Sequence, residues 1–211
     1  MGIKFNKPTT TNNQKELVPQ GNHLAIIYKI VEIGTKDYDW QGEAKTKRAV
    51  RVWYELPNQT RVFNEEKGEQ PMSVSKEYNL TPHEKATIMI HFSAMDNKIF
   101  TEDEMYDLDI VDYLGKSCML QIVHKTSEAG RTFAVITSVS SVPDGMNVAE
   151  QYNDNSVFDY DSNFKIDVLE SQPEWLKEQI KASPEYAKAI ENITNNDEDF
   201  QVKDPVENLP F

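Results

Sequence analysis

From Leu24 to Thr35 the chain reads LAIIYKIVEIGT, an apolar, β-branched run with few polar interruptions. It is shorter than the roughly 20 apolar residues a membrane helix needs, and its Ile and Val content favours a strand over a helix. Apolarity without strict alternation predicts a strand buried on both faces or bent by a bulge. Any fold built on this chain has to cover both sides of that strand.

The next run, KTKRAVRVWYEL from Lys45 to Leu56, does alternate. Val50, Val52, Tyr54 and Leu56 fall on one face, and Lys45, Lys47, Arg51 and Trp53 on the other, because strand side chains point to opposite faces in turn. The residues between the two runs, DYDWQGE from Asp37 to Glu43, hold turn formers around Gly42 and read as a loop. PMSVSKEYNL, Pro71 to Leu80, gives a third strand with Met72, Val74, Tyr78 and Leu80 on its apolar face. Thr81-Pro82-His83-Glu84 has the form of a capping box with Pro at the first helical position, predicting a helix to about Met95. Thr101 to Glu104 repeats the pattern before MYDLDIVDYLG, with Gly115 as terminator, and SCMLQIVHKT and RTFAVITSV follow as two strands joined by SEAG. The order β-β-β-α-β-β is that of a mainly β, five-stranded Greek-key OB-fold barrel with a helix between strands three and four. An open α+β sheet or another small barrel shares the same one-dimensional order.

The 211 residues carry a formal net charge of -13, unevenly spread. Up to Met146 there are 17 basic and 20 acidic residues, a net of -3; beyond it 5 basic and 15 acidic, a net of -10. A nearly neutral body is therefore followed by an anionic extension. Residues 1–22 read as a polar arm, 23–143 as the β domain, 144–163 as a linker, 164–194 as a short helical segment capped at Ser171 and Ser183, and 195–211 as an acidic tail too poor in apolar residues to fold alone. With 38% hydrophobic residues and no apolar h-region in MGIKFNKPTTTNNQKE, the expected setting is the cytoplasm.

No catalytic constellation stands out. The phosphate-loop, nucleophile-elbow and dinucleotide-binding signatures are missing, the four histidines lack metal-ligand spacing, and the single cysteine, Cys118, sits in an apolar run. The acids Glu102, Asp103, Glu104, Asp107 and Asp109 suit the positive end of a helix dipole better than a Mg²⁺ site. The expectation is a non-enzymatic protein without metal or cofactor.

The cationic strand points to a binding function. Single-stranded nucleic acid presents phosphates and splayed bases, so a nonspecific binder needs cations beside flat side chains, each base stack contributing roughly 1 to 3 kcal/mol. Lys45, Lys47, Arg51 and Trp53 supply both on one strand face. In an OB-fold the binding surface uses strands two and three and the loops between strands one and two and between four and five. Tyr38 and Trp40 lie before the second strand, and Lys125 and Arg131 flank the last turn, so all eight are candidate contacts; Phe63, Lys76, Tyr78 and Phe133 are weaker ones, with Tyr78 favouring the core by alternation. The plainer alternative makes Trp53 a core residue and the lysines a guard against edge-to-edge sheet pairing.

The chain ends DPVENLPF. This ending resembles that of single-stranded DNA-binding proteins of bacteria and their phages, whose OB-fold bodies are followed by an acidic tail closing on a hydrophobic residue, Pro and Phe. The resemblance implies that Leu209, Pro210 and Phe211 anchor replication or recombination proteins, with Asp197, Glu198, Asp199, Asp204 and Glu207 as the acidic stretch, although Lys203 interrupts it. The body, through EIGTKDYDWQG, VWYEL, VSKEYNLTPHEKA and LGKSCMLQIVHKT, is similar to a group of tailed-phage replication proteins regarded as single-stranded DNA-binding proteins. The implied function is sequence-nonspecific single-stranded DNA binding in phage replication or recombination, with single-stranded DNA and replication proteins as partners and a homo-oligomer compatible with the sequence. The alternative from another class is an OB-like adaptor of a replisome whose aromatic face takes a peptide.

Overall fold

The apolar run becomes β1 (Gly21–Trp40), a long strand shared by two halves of one sheet. A computed structural model describes residues 16–199, apart from the side chains of Trp40 and of residues 195–199. Over Gly21–Ile26, β1 pairs antiparallel with β4 (Ser117–Thr126); from Ile26 to Trp40 it pairs with β2 (Glu43–Asn64). Register shifts at Tyr28 and at Ile33 let it bend between the two, as bulges do. With β3 (Gly68–Asn79) beyond β2 and β5 (Thr132–Ser140) beyond β4, the order is β3-β2-β1-β4-β5. The result is a mainly β, OB-fold-like body: five antiparallel strands in a curled, open half-barrel, with a helix between β3 and β4. β3 and β5 form no ladder with each other; Lys76 Nζ donates across the gap to the Ile136 carbonyl at 3.1 Å.

The alternation in β2 is realised as expected. Val50, Val52, Tyr54 and Leu56 are all buried inside the curl, together with Met72, Val74 and Tyr78 of β3. Helix α1 (Thr87–Asp96) closes this side with Ile88, Met89, Phe92 and Met95. It starts later than the Thr81 motif suggests: its N-cap is Ala86, without a side-chain cap, while His83 N donates to Thr81 O in a preceding turn. The helix begins where residues to bury begin, and the capping residues at Thr81 have no amphipathic turn to close. At Thr101 the same motif does form a capping box, starting α2 (Glu102–Asp107), which gives way to a 3-10 turn over Ile110–Tyr113. Asp37–Glu43 is not a loop. β1 runs on to Trp40, and a two-residue turn at Gln41 and Gly42, both with positive φ (56° and 86°), joins it directly to β2. The sequence masks this because the ribbon buries neither face there.

The stretch from 144 to 163 packs on the body. Glu55, fully buried on the outer face of β2, accepts hydrogen bonds from Tyr152 N (2.7 Å), Asn153 N (2.9 Å) and Asn153 Nδ2 (2.6 Å). Three donors replace the water that a buried carboxylate gives up. The chain then adds β6 (Ser156–Phe158) parallel to β1 at Lys29–Val31. Helices α3 (Ile166–Glu170), α4 (Glu174–Lys181) and α5 (Pro184–Asp199) follow, α5 continuing beyond Ile193 into the acidic residues. Phe158, Leu169, Leu176 and Ile180 build a second core on Val31, Ile33 and Ala49, so the outer face of β1 is buried as well.

A latch at the second bulge fixes this unit. Glu185 accepts from Thr35 N at 2.9 Å and Thr35 Oγ1 at 2.5 Å, and the Tyr160 hydroxyl lies 3.0 Å from the Ile33 carbonyl and 2.8 Å from Ser183 Oγ. Gly34, at φ +90°, lets Ser183 approach so closely that a Cβ there would stand 2.7 Å from the serine Cβ and Oγ. Gly34→Ala therefore combines backbone strain with a clash and should cost about 1–3 kcal/mol in denaturant unfolding. Hydrogen exchange should show residues 156–183 losing protection while β2 and β4 keep theirs; retained protection would mean the latch tolerates a side chain.

One buried polar chain crosses the main core: the Tyr54 and Tyr78 hydroxyls lie 2.9 Å apart, and Tyr78 Oη lies 2.9 Å from His91 Nδ1. Burial, and then the charge of Lys76, push the His91 imidazole down from 6.5 to about 4. Between those values the unfolded chain binds a proton that the folded chain refuses. Stability is thus full above pH 6.5 and falls as pH drops toward 4, by on the order of 3 kcal/mol. Denaturant midpoints from pH 7 to 4.5 test this: His91→Gln, which keeps an acceptor for Tyr78, should flatten the slope, and an unchanged slope would place the titration elsewhere.

Candidate nucleic-acid interface

The outer face of β2 carries, in order, Lys45, Lys47, Ala49, Arg51 and Trp53, opposite Tyr38, Lys36, Gly34, Val31 and Lys29 of β1. The C-terminal helices cover its middle, at Val31 and Ala49, and divide the face into two parts.

The outer part is the β1–β2 ribbon. Tyr38 and Lys45 are directly paired, and Lys47 Nζ lies 5.0 Å from the Tyr38 ring centroid. Lys45 also makes an exposed ion pair with Glu43 at 3.3 Å. Trp40 stands opposite Glu43 at the end of β1; its side chain lies outside the described residues. Arg48, the remaining cation of the run, points to the other face, where its Nε donates to buried Glu32 at 2.5 Å.

The inner part centres on Arg51 and Trp53. Trp53 is half-buried against the second core, with Lys29 Nζ 4.9 Å and the Arg51 guanidinium 6.0 Å from its ring. Arg51 Nη2 donates to Glu77 at 2.9 Å, and its Nη1 to Ser75 Oγ at 3.3 Å; Lys36 also donates to Glu77. Burial alone would raise the Glu77 carboxyl, but the hydrogen bonds and charges of Lys36 and Arg51 together hold it below the usual carboxylate range. The guanidinium lies 4.7 Å from the ring of Trp175 on α4.

From Arg51 the surface descends into the open seam of the half-barrel, a groove of about 540 Å³. One wall is Arg51, Ser73, Ser75 and Glu77; the other is Phe133 and Val135 of β5, with Lys76 crossing between them. Lys125 is the cross-strand neighbour of Phe133, and burial, followed by the charge of Lys125, lowers the Lys76 pKa. Arg131 is exposed at the β4–β5 turn, where its carbonyl accepts from Ser127 N.

The eight candidates thus fall into three places. Tyr38, Lys45, Lys47 and Trp40 share the ribbon; Arg51 stands at the groove's rim with Trp53 next to it on β2; Lys125 and Arg131 belong to the β4–β5 hairpin, which leaves from the opposite end of β1. Of the weaker candidates, Lys76 and Phe133 line the groove and Tyr78 is core, while Phe63 is exposed with the Arg61 guanidinium 5.7 Å from its ring. Leu209, Pro210 and Phe211 lie outside the described residues. The sequence reading missed Ser75, Glu77 and Trp175, since neither the pairing of Arg51 nor the return of α4 to β2 is a local feature. The signal for Trp175 was its place one residue off the Leu176–Ile180 stripe. No protein-family model and no curated protein matches this chain.

Proposed function

We propose that this protein binds single-stranded DNA without sequence preference, through an OB-type surface, as a replication or recombination protein of phage type. The observation that carries the reading is the open seam: a groove that combines Arg51, Lys76 and the nearby Lys125 with an exposed Phe133 and the hydroxyls of Ser73 and Ser75. Its width is kept by the missing β3–β5 ladder, so a nucleic-acid strand lies where a closed five-stranded barrel would have its fifth strand pairing. Phosphates meet the cations, and bases meet the ring. The ribbon with Tyr38, Lys45 and Lys47 offers a second contact of the same chemistry.

Because Glu77 already holds Arg51 and Lys36, an incoming phosphate competes with a carboxylate for them, and binding should be strongly salt-dependent. Leu209, Pro210 and Phe211 are, on this reading, the anchor for protein partners.

Fluorescence anisotropy of a labelled oligo-dT of about 30 nucleotides tests the function. Binding should weaken with salt, with a log–log slope of roughly -2 to -4 for three to five phosphate contacts, and a matched duplex should not displace the oligonucleotide. The double variant Lys45→Glu, Lys47→Glu should lose about tenfold in affinity at low salt. No binding at micromolar protein, for the full chain and for one ending at residue 199 alike, would overturn the reading in favour of a peptide-binding adaptor. Removing Leu209, Pro210 and Phe211 should leave the oligo-dT curve unchanged; a loss of affinity would assign those residues to DNA.

A further inference from the structure

Trp175 is a large side chain whose position the packing does not explain. In α4, Leu176 and Ile180 are completely buried and supply the helix's contact with the second core, whereas Trp175 leaves 44% of its surface to solvent. The Arg51 guanidinium lies 4.7 Å from its ring centroid, which engages the indole with a cation at the rim of the seam groove. The same guanidinium donates to Glu77 and Ser75, so its plane is fixed rather than free to follow the indole. Beneath it stands Trp53, with Lys29 at 4.9 Å. On this patch Lys36 and Arg51 share the carboxylate of Glu77, and Lys29 stands over the Trp53 ring. The cations of α4 itself are neutralised: Lys177 pairs with Glu170 at 3.0 Å and Glu174 at 2.9 Å, and Lys181 with Glu170 at 2.9 Å.

We propose that Trp175 is a base-stacking residue of the nucleic-acid site, forming with Arg51 a platform at the β2 rim of the groove while Phe133 serves the β5 wall. The assignment rests on the single-strand reading above and extends it: the C-terminal helices complete the binding surface rather than merely following it. An indole with one side engaged by a guanidinium and nearly half its surface open can accept a base by stacking, and the Arg51 cation beside it suits the phosphate attached to that base. The hydroxyls of Ser73 and Ser75 and the ring of Phe133 then continue the path along the seam. The opposite role, a lid that must leave before DNA enters, would make Trp175 a competitor for Arg51 and gives the opposite mutational sign.

The test uses the full chain and the same labelled oligo-dT. Trp175→Ala should weaken binding roughly 5- to 100-fold, the range for one lost base–aromatic stack, and Trp175→Phe should restore most of it. Because the indole is half-exposed, thermal melting should shift little in either variant, and Trp175→Phe remains informative where the alanine variant fails to fold. Ultraviolet cross-linking of wild-type protein to an oligonucleotide containing 5-iododeoxyuridine should label the tryptic peptide Ile166–Lys177. Wild-type binding with unchanged or tighter binding by Trp175→Ala, and no label on that peptide, would overturn this assignment alone. No binding by the wild-type chain would overturn the single-strand reading and this assignment together.

Discussion

The bend of β1 is the constraint on which the molecule depends. One strand serves two half-sheets because it changes partner at Ile26, and register shifts at Tyr28 and Ile33 bend it just beyond its most apolar stretch, Leu24–Ile27. The second shift does double duty. It turns the strand, and it exposes the Ile33 carbonyl and the Thr35 amide, which Tyr160 and Glu185 then satisfy. A regular strand would spend those groups within the sheet and leave the C-terminal helices nothing to hold but apolar surface. Gly34 at φ +90° is the local condition for this arrangement.

That dependence explains how far the sequence could be read. LAIIYKIVEIGT fits a strand buried on both faces and also a bulged strand, and both descriptions hold for β1. The β2 alternation fixed which side chains share a face, since period two is a property of the backbone. It left open what covers each face, a property of distant chain: Ala49 and Trp53, among the cations, were the local signs that the outer face meets another layer. The two Thr capping motifs show the same limit. The motif at Thr101 closes a helix and the one at Thr81 does not, because capping satisfies amides only where burial has made a helix worth starting. The tight turn at Gln41-Gly42 was legible as a turn, but the polar ribbon on either side lacked the apolar face that marks a strand.

Charge pairing follows the same division. The cluster Lys45 to Arg51 looks unopposed in sequence, yet Arg48 meets Glu32 and Arg51 meets Glu77, acids from other strands. β2 is interior only from Ala49 onward, where β3 pairs with it; Lys45 and Lys47 lie on the two-stranded β1–β2 ribbon, beside a strand edge that β3 does not cover. The edges of the main sheet are β3 and β5, and their protection comes from other devices: Pro71 near the start of β3 withholds a donor, and Lys76 points a charge into the gap between them. An ammonium with its pKa lowered by burial is an expensive way to block an edge. It is less expensive if the same charge serves a ligand in the groove, which is an argument for function from the cost of the structure.

Glu55 carries the argument one step further. It is a fully buried acid on the outer face of β2 whose partners in the described residues are donors of the segment at Tyr152 and Asn153, not a cation. Replacing a water shell with two backbone amides and one side-chain amide leaves the carboxylate satisfied only while that segment stays in place. Detaching the C-terminal unit would therefore uncover apolar side chains at Val31, Ile33 and Ala49 and free the segment that satisfies Glu55, two penalties of different kind that act together. A cover held by both is suited to stay in place beside the groove rather than to line it. For the proposed binding surface this favours assembly once, during folding, over opening and closing by its own helices.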